Sequence, residues 1–161
     1  MESFDEAFEQ HLGDVYAFFV YRLGRVHDAE DLTQATFERA FRAWGRFDPR
    51  RASARSWLLA IARNLLVDHY RAGRTRQTQP LEGDPGIAAS DAPADLGLGP
   101  PLAAALAKLP DRDREILALR YGADLAGPEI ATLTSLTLAN VQQILSRSLR
   151  RLRNELGDAS D

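Results

Sequence analysis

The chain has 161 residues and a formal net charge of −3 at pH 7, so it has room for one or two small domains, leaves a large catalytic core unexpected, and through net charge alone indicates no partner. It has no cysteine, which excludes disulfides, cysteine-ligated zinc and thiol redox switching, and His11, His27 and His69 are scattered without metal-ligand spacing. No apolar run approaches the ~20 residues of a membrane span, and the acidic, amphipathic start MESFDEAF is unlike a signal peptide, so a cytoplasmic protein without membrane insertion is expected.

Ser3-Phe-Asp-Glu6 is a capping box, and Phe4, Phe8, Leu12, Val15 and Phe19 follow at helical spacing. A second helix is expected from about Asp28, whose carboxylate can cap it, to about Trp44, with Phe37, Ala40, Phe41 and Trp44 on one stripe. GRFDPRRAS, Gly45 to Ser53, has the Gly, Pro and Ser of a loop. The third helix runs from about Ala54 to Arg71 on a buried stripe of Trp57, Leu58, Ile61, Ala62 and Leu65. Residues 77–101 are rich in Pro, Gly, Ala and Asp without sustained period, the composition of a flexible linker. Four more helices are expected: Leu102–Leu109, stopped at Pro110; Asp111–Tyr121, ended by Gly122; Pro128–Thr134; and Leu138–Leu156. No β pattern occurs, so the fold is all-α, two small helical domains on a tether.

Charge is unevenly spread. Met1 to Glu38 is mostly acidic, whereas from Arg39 to Arg76 the charges are Arg, broken only by Asp48 and Asp68; the linker is acidic and the last helix basic. Such alternation suits separate surfaces for separate partners, or simply solvated helix faces. The third helix turns Ser56, Ala60, Arg63, Asn64, Val67 and Arg71 away from its apolar stripe, beside Arg50, Arg51 and Arg55 of the preceding loop. Arg neutralises phosphate and stacks on bases, and an Asn amide offers one donor and one acceptor to a base edge. That face reads as a single-strand binding surface or as an Arg-rich solvated helix. Asp31, Gln34, Glu38 and Arg42 form a mixed polar face on the second helix, suited to solvent or to a basic helical partner. In EIATLTSLTLANVQQILSRSLRRLR, Ile130, Leu136, Val141 and Leu145 have the spacing of a helix-turn-helix, with small Ala131 allowing close approach. Ser135 stands at the turn, where Gly takes left-handed geometry freely. Thr137 can cap the second helix and aim its N-terminus at a phosphate; Asn140, Gln143, Ser146 and Arg147 face outward, with Gln142 on the flank. No nucleophile–base pair, metal set or phosphate loop appears, so neither enzyme nor cofactor is expected.

DAEDLTQATFERAFRAW, RSWLLAIARNLLVDHYR and LPDRDREILALRY with EIATL, in this order, resemble the extracytoplasmic-function (ECF) sigma factors of bacterial RNA polymerase. The resemblance covers nearly the whole chain and implies region two over 1–76, the linker over 77–101 and region four over 102–161. It implies docking on core RNA polymerase through Asp31, Gln34 and Glu38, with Ala35 where the family commonly has an acid. It also implies recognition and melting of the minus-ten promoter element through Arg50, Arg51, Arg55, Arg63, Asn64 and Arg71, with Asn64 at a flipped base and Trp57 packed under the loop. The linker, with Glu82, Asp84, Asp91 and Asp95, would thread a basic channel of the polymerase or be a plain spacer. Region four would read the minus-thirty-five element through Thr137, Asn140, Gln142, Gln143 and Arg147, with Arg147, Arg150 and Arg151 left for phosphates, or be kept for protein contacts. Relatives often have basic residues at the positions of Gln142 and Ile144, so a weaker electrostatic grip is expected. The partners implied are core polymerase, promoter DNA and, as a candidate, an anti-sigma factor. The alternative function is a sigma-like decoy that binds an anti-sigma factor and never touches promoters; a third is an ordinary helix-turn-helix regulator, which leaves the N-terminal motifs unexplained.

Overall fold

The computed structural model describes residues 2–76 and 99–160, and within them every regular element is helical. The N-terminal unit is α1 (Phe4–Leu23), α2 (Val26–Ala43), a 3₁₀ turn (Trp44–Arg46) and α3 (Ala54–Arg76). The C-terminal unit is α4 (Pro100–Ala107), α5 (Asp111–Leu117), a π-helical turn (Ala118–Gly122), α6 (Gly127–Thr134) and α7 (Leu138–Ser160). The capping box forms as expected: the Glu6 N–H donates to Ser3 Oγ and the Ser3 N–H to Glu6 Oε2. α1 closes on Gly24, whose φ of 69° is the left-handed conformation that glycine tolerates best. α1, α2 and α3 pack around Val15, Phe18, Phe19, Phe37, Leu58 and Leu59. The linker lies outside the described residues up to residue 98.

Several boundaries and faces differ from expectation. α2 starts at Val26, not Asp28; Arg25 stands at its N-cap without a side-chain bond, and Asp28 lies in the first turn, where a carboxylate complements the helix dipole. Phe41 is 66% exposed instead of lying in the buried stripe. On α3 the buried line is Leu58, Leu59, Ala62 and Leu66; Trp57, Ile61 and Leu65 are only half-buried. The shift arises because α3 is covered on two sides, by its own unit and by the C-terminal one. α4 begins two residues earlier than expected, since Pro is compatible with the first helical positions, where no N–H is needed. α5 gives way at Ala118 to a π-helical turn, so Asp111 to Tyr121 is not one α-helix.

The helix-turn-helix is α6–α7. Ser135 takes the left-handed conformation (φ 59°, ψ 34°), and the Asn140 N–H donates to Thr137 Oγ1 at 3.0 Å, capping α7. Ile130, Val141 and Ile144 are buried. Leu145, expected inside, is half-buried.

The two units lie against each other, and their buried apolar residues form one contiguous cluster. The π-helical turn rests on α1, so closely that a Cβ on Gly122 would lie 3.1 Å from the Ala17 carbonyl oxygen. No described helix is long and apolar enough to cross a membrane.

Candidate nucleic-acid interface

The loop before α3 is organised by aromatic packing and a carboxylate. Trp44, Phe47 and Trp57 meet with ring centroids 5.0–5.6 Å apart, which places Trp57 beneath the loop. Asp48 accepts the Arg50 backbone N–H at 2.9 Å and lies within ion-pair reach of the Arg50 and Arg51 side chains. Those two guanidiniums remain about nine-tenths exposed, and such exposed pairs are worth little, so both are available to a polyanion. Ser53 caps α3 by accepting the Ser56 N–H. Arg55 turns back instead, its Nε donating to Asp14 at 3.0 Å.

Further along α3, Asn64 and Arg71 are exposed, whereas Arg63 is half-buried. Arg63 Nε donates to Glu115 of α5, and its Nη1 donates to the Leu133 carbonyl of α6 at 2.8 Å. Ser53 Oγ and Ser56 Oγ donate to Glu129 at 3.2 and 2.6 Å. Thus Arg50, Arg51, Arg63, Asn64 and Arg71 share the loop and one side of α3 as expected, but Arg63 and the two serines are engaged by the C-terminal unit. A small pocket of ≈ 130 Å³ lies there, lined by Arg22, Arg63, Asn64, Leu66, Val67, Tyr70 and Glu115.

Sequence reasoning assigned no role to Arg22, Tyr70, Glu115 or Glu129. Arg22 is 4% exposed, its Nε and Nη1 have no hydrogen-bond partner, and its guanidinium lies 5.6 Å from the Tyr70 ring centroid. Arg114 is beside it and donates to the Tyr21 carbonyl at 2.8 Å; burial, and then the charge of Arg22, push its pKa down. These contacts join residues far apart in the chain, so no local spacing announces them.

On the other face of the N-terminal unit, Asp31, Gln34 and Glu38 are exposed, and Gln34 Nε2 donates to Glu38 at 3.3 Å. Next to Gln34 and Glu38 is an apolar groove of ≈ 690 Å³ whose lining includes Phe4, Phe8, Leu12, Phe37 and Phe41, all from α1 and α2. Gln34 and Glu38 form part of its rim. An exposed apolar groove rimmed by polar side chains is the usual mark of a protein-binding surface.

On α7, Asn140, Gln142, Gln143 and Arg147 are exposed near the capped N-terminus, and Thr137 is exposed at the cap. Arg147 Nη2 donates to Asp113 at 3.1 Å. Free backbone N–H groups at the start of α7, amide side chains beyond them, and Arg150 and Arg151 outward give one end of the unit the chemistry of a duplex reader.

Residues 7–76 match the model of Sigma-70 region 2, and residues 105–154 that of Sigma-70 region 4. The chain is 36% identical over 167 residues to the ECF RNA polymerase sigma factor SigE of Mycolicibacterium smegmatis, covering 99% of this chain and 64% of that protein. It is 30% identical over 154 residues to the ECF RNA polymerase sigma factor SigM of Bacillus subtilis, covering 94% of this chain and 93% of SigM. Its fold is similar to that of the sigma factor RpoE from Bartonella quintana, solved in complex with the anti-sigma factor NepR, with a TM-score of 0.76, 23% identity and 96% of each chain covered.

Proposed function

This chain belongs to the ECF sigma factors of RNA polymerase, and from that premise we propose that it directs promoter recognition and strand opening while the polymerase performs the catalysis. Region two docks on core polymerase through Asp31, Gln34 and Glu38, with the apolar groove beside them taking part of the same partner. Charge-assisted hydrogen bonds to a basic helix give that contact its orientation, and the exposed Phe8, Leu12 and Phe41 give it apolar area.

Region two then holds the melted non-template strand at the minus-ten element. Arg50 and Arg51 neutralise phosphates, Arg63 and Arg71 follow the strand along α3, and Asn64 bonds the edge of a flipped base. Extruding a base costs a few kcal/mol of stacking, which the pocket must offset. Region four binds duplex at the minus-thirty-five element, with a phosphate at the Thr137-capped end of α7 and adenine read by Gln142 or Gln143. The observation that carries this reading is the exposed Asn64 amide among arginines on α3, in a chain that matches region two and region four in order.

The partners are core RNA polymerase and promoter DNA, with an anti-sigma factor as a further one, and the protein works in the cytoplasm without chemistry of its own. The decoy reading is disfavoured by the exposure of Arg50, Arg51 and Asn64, groups a decoy has no use for. Transcription reconstituted with core polymerase on a promoter library tests the reading. Template-specific initiation that requires this chain is the expected result; none on any template, with core binding intact, favours the decoy.

A further inference from the structure

The head of α3 is held from α1. Arg55, the second residue of α3, donates from Nε to Asp14 Oδ2 at 3.0 Å, and His11 Nδ1 lies 3.2 Å from the same oxygen. The Asp14 side chain is 20% exposed and that of Arg55 32%, against 90% and 89% for Arg50 and Arg51 a few residues earlier. A pair so sheltered is screened less than theirs, and its loss leaves a partly buried charge behind. The first turn of α3 contains Arg55 and no acid of its own. The N-terminal end of a helix carries partial positive charge, which a guanidinium opposes and a carboxylate complements, so Asp14 supplies from α1 the charge that this end of α3 lacks. The neighbours of Arg55 build the loop: Ser53 accepts the Ser56 N–H, and Trp57, two residues beyond Arg55, stands against Trp44 and Phe47 beneath it.

We propose that Asp14 is a positioning residue for the minus-ten surface: by holding Arg55 it fixes the rotation of the first turn of α3, and with it the Trp57 platform from which Arg50 and Arg51 reach the DNA. Arg55 acts through Asp14 and touches no phosphate. The proposal rests on the reading of α3 and its loop as the minus-ten surface. A phosphate approaching Arg55 has to displace a sheltered carboxylate already bonded to Nε, whereas Arg50 and Arg51 give up only weak, exposed pairs with Asp48. The strand therefore meets two kinds of arginine in this stretch, two that bind it and one that sets their place.

The test uses the full-length chain with core polymerase. Its two tryptophans are Trp44 and Trp57, both in the platform, so intrinsic fluorescence reads the geometry of the loop in the free protein. Asp14→Ala, Arg55→Ala, the double variant and Arg55→Lys are compared with Arg50→Ala as the reference for a phosphate contact. Asp14→Asn, which keeps the shape without the charge, stands beside Asp14→Ala so that a variant that fails to fold leaves another to measure; circular dichroism verifies folding.

Asp14→Ala and Arg55→Ala are each expected to shift the tryptophan emission and to slow promoter opening roughly ten-fold, with affinity for core polymerase unchanged. The double variant is expected to open no more slowly than either single one, since each removes the same contact. Arg55→Lys, which keeps a cation at Asp14, is expected to restore most of the rate. Arg50→Ala is expected to leave the emission unchanged and to lower the salt slope of promoter binding by about one, whereas Arg55→Ala keeps the wild-type slope. A slope lowered by about one in Arg55→Ala makes Arg55 a phosphate contact and overturns the proposal, as do additive losses in the double variant or normal opening by Asp14→Ala. If Arg50→Ala and Asn64→Ala also leave opening and slope untouched, the proposal falls together with the minus-ten reading, an outcome that those two variants tell apart from a failure of the Asp14 contact alone.

Discussion

Arg147 Nη2 lies 3.1 Å from Asp113 Oδ1, so the guanidinium proposed to grip a phosphate also neutralises a carboxylate that is 5% exposed. Asp113 sits in the first turn of α5, where the helix dipole already favours negative charge. The arginine is more than half exposed, so the pair is partly screened. Arg147→Ala leaves a buried carboxylate without its cation and is expected to cost about 1–2 kcal/mol in urea unfolding of the whole chain. Asp113→Asn, which needs no cation, is expected to cost about 1 kcal/mol or less. Equal, negligible effects of both would make the contact an ordinary surface pair.

The polymerase-docking face combines polar and apolar groups, and the two are separable. Asp31→Ala with Gln34→Ala is expected to weaken core binding by about 1–3 kcal/mol without loss of helicity, since both side chains are exposed. Phe41→Ala is expected to weaken it as well, while its effect on stability stays small because the ring is largely in solvent already. Fluorescence anisotropy with core polymerase measures both; unchanged affinity in the double variant rules out this face.

Asn64→Ala is expected to impair promoter opening more than polymerase binding. The side chain is exposed and makes no contact that region two needs to fold. Permanganate footprinting follows opening on duplex promoters, and a pre-melted template is expected to restore initiation in part while selectivity at the flipped base stays lost. Normal opening of duplex templates by the variant would leave Asn64 a solvated residue.

Gln142→Ala and Gln143→Ala are expected to reduce preference for adenine-containing upstream elements by about 1–3 kcal/mol of discrimination, the value of a bidentate amide–adenine pair. With uncharged amides at Gln142 and Gln143 and no lysine on this face, the salt dependence of upstream binding is expected to be shallow. Footprints of the holoenzyme decide this: an unchanged upstream footprint and promoter ranking in both variants would mean the helix does not read sequence through these amides.

Much of this was legible in the chain because it is local. The Ser3–Glu6 box, the Thr137 cap and the left-handed Ser135 each depend on neighbours within a few residues, and spacing alone reveals them. The start of α2 was misjudged because Asp28 has the chemistry of a cap, yet Val26 and His27 join the helix ahead of it. The α3 stripe was misjudged for another reason: Leu59 and Leu66 are buried although a single-sided wheel puts them off the stripe. Arg63 was legible as an arginine on the DNA side of α3, but not as one already bound to Glu115, since 52 residues separate the partners. The docking residues were found and the apolar groove beside them was not, because Phe4, Phe8, Leu12 and Phe41 have the spacing of core residues.

α7 is a single unbroken helix of 23 residues, about 34 Å long at 1.5 Å per residue. Val141, Ile144, Ser148 and Leu152 run down one side of it into the body of region four, and near the far end Glu155 pairs with Lys108 at 3.1 Å. The base-reading amides are thus mounted on the tip of a shaft whose bearing lies several turns away. A small roll of the shaft at Leu152 rotates Gln142 and Gln143 by the same angle in the groove, because no proline or glycine between them absorbs it. Promoter preference is then tuned from the bearing as well as from the tip, and substitutions that alter it can arise where no base is within reach.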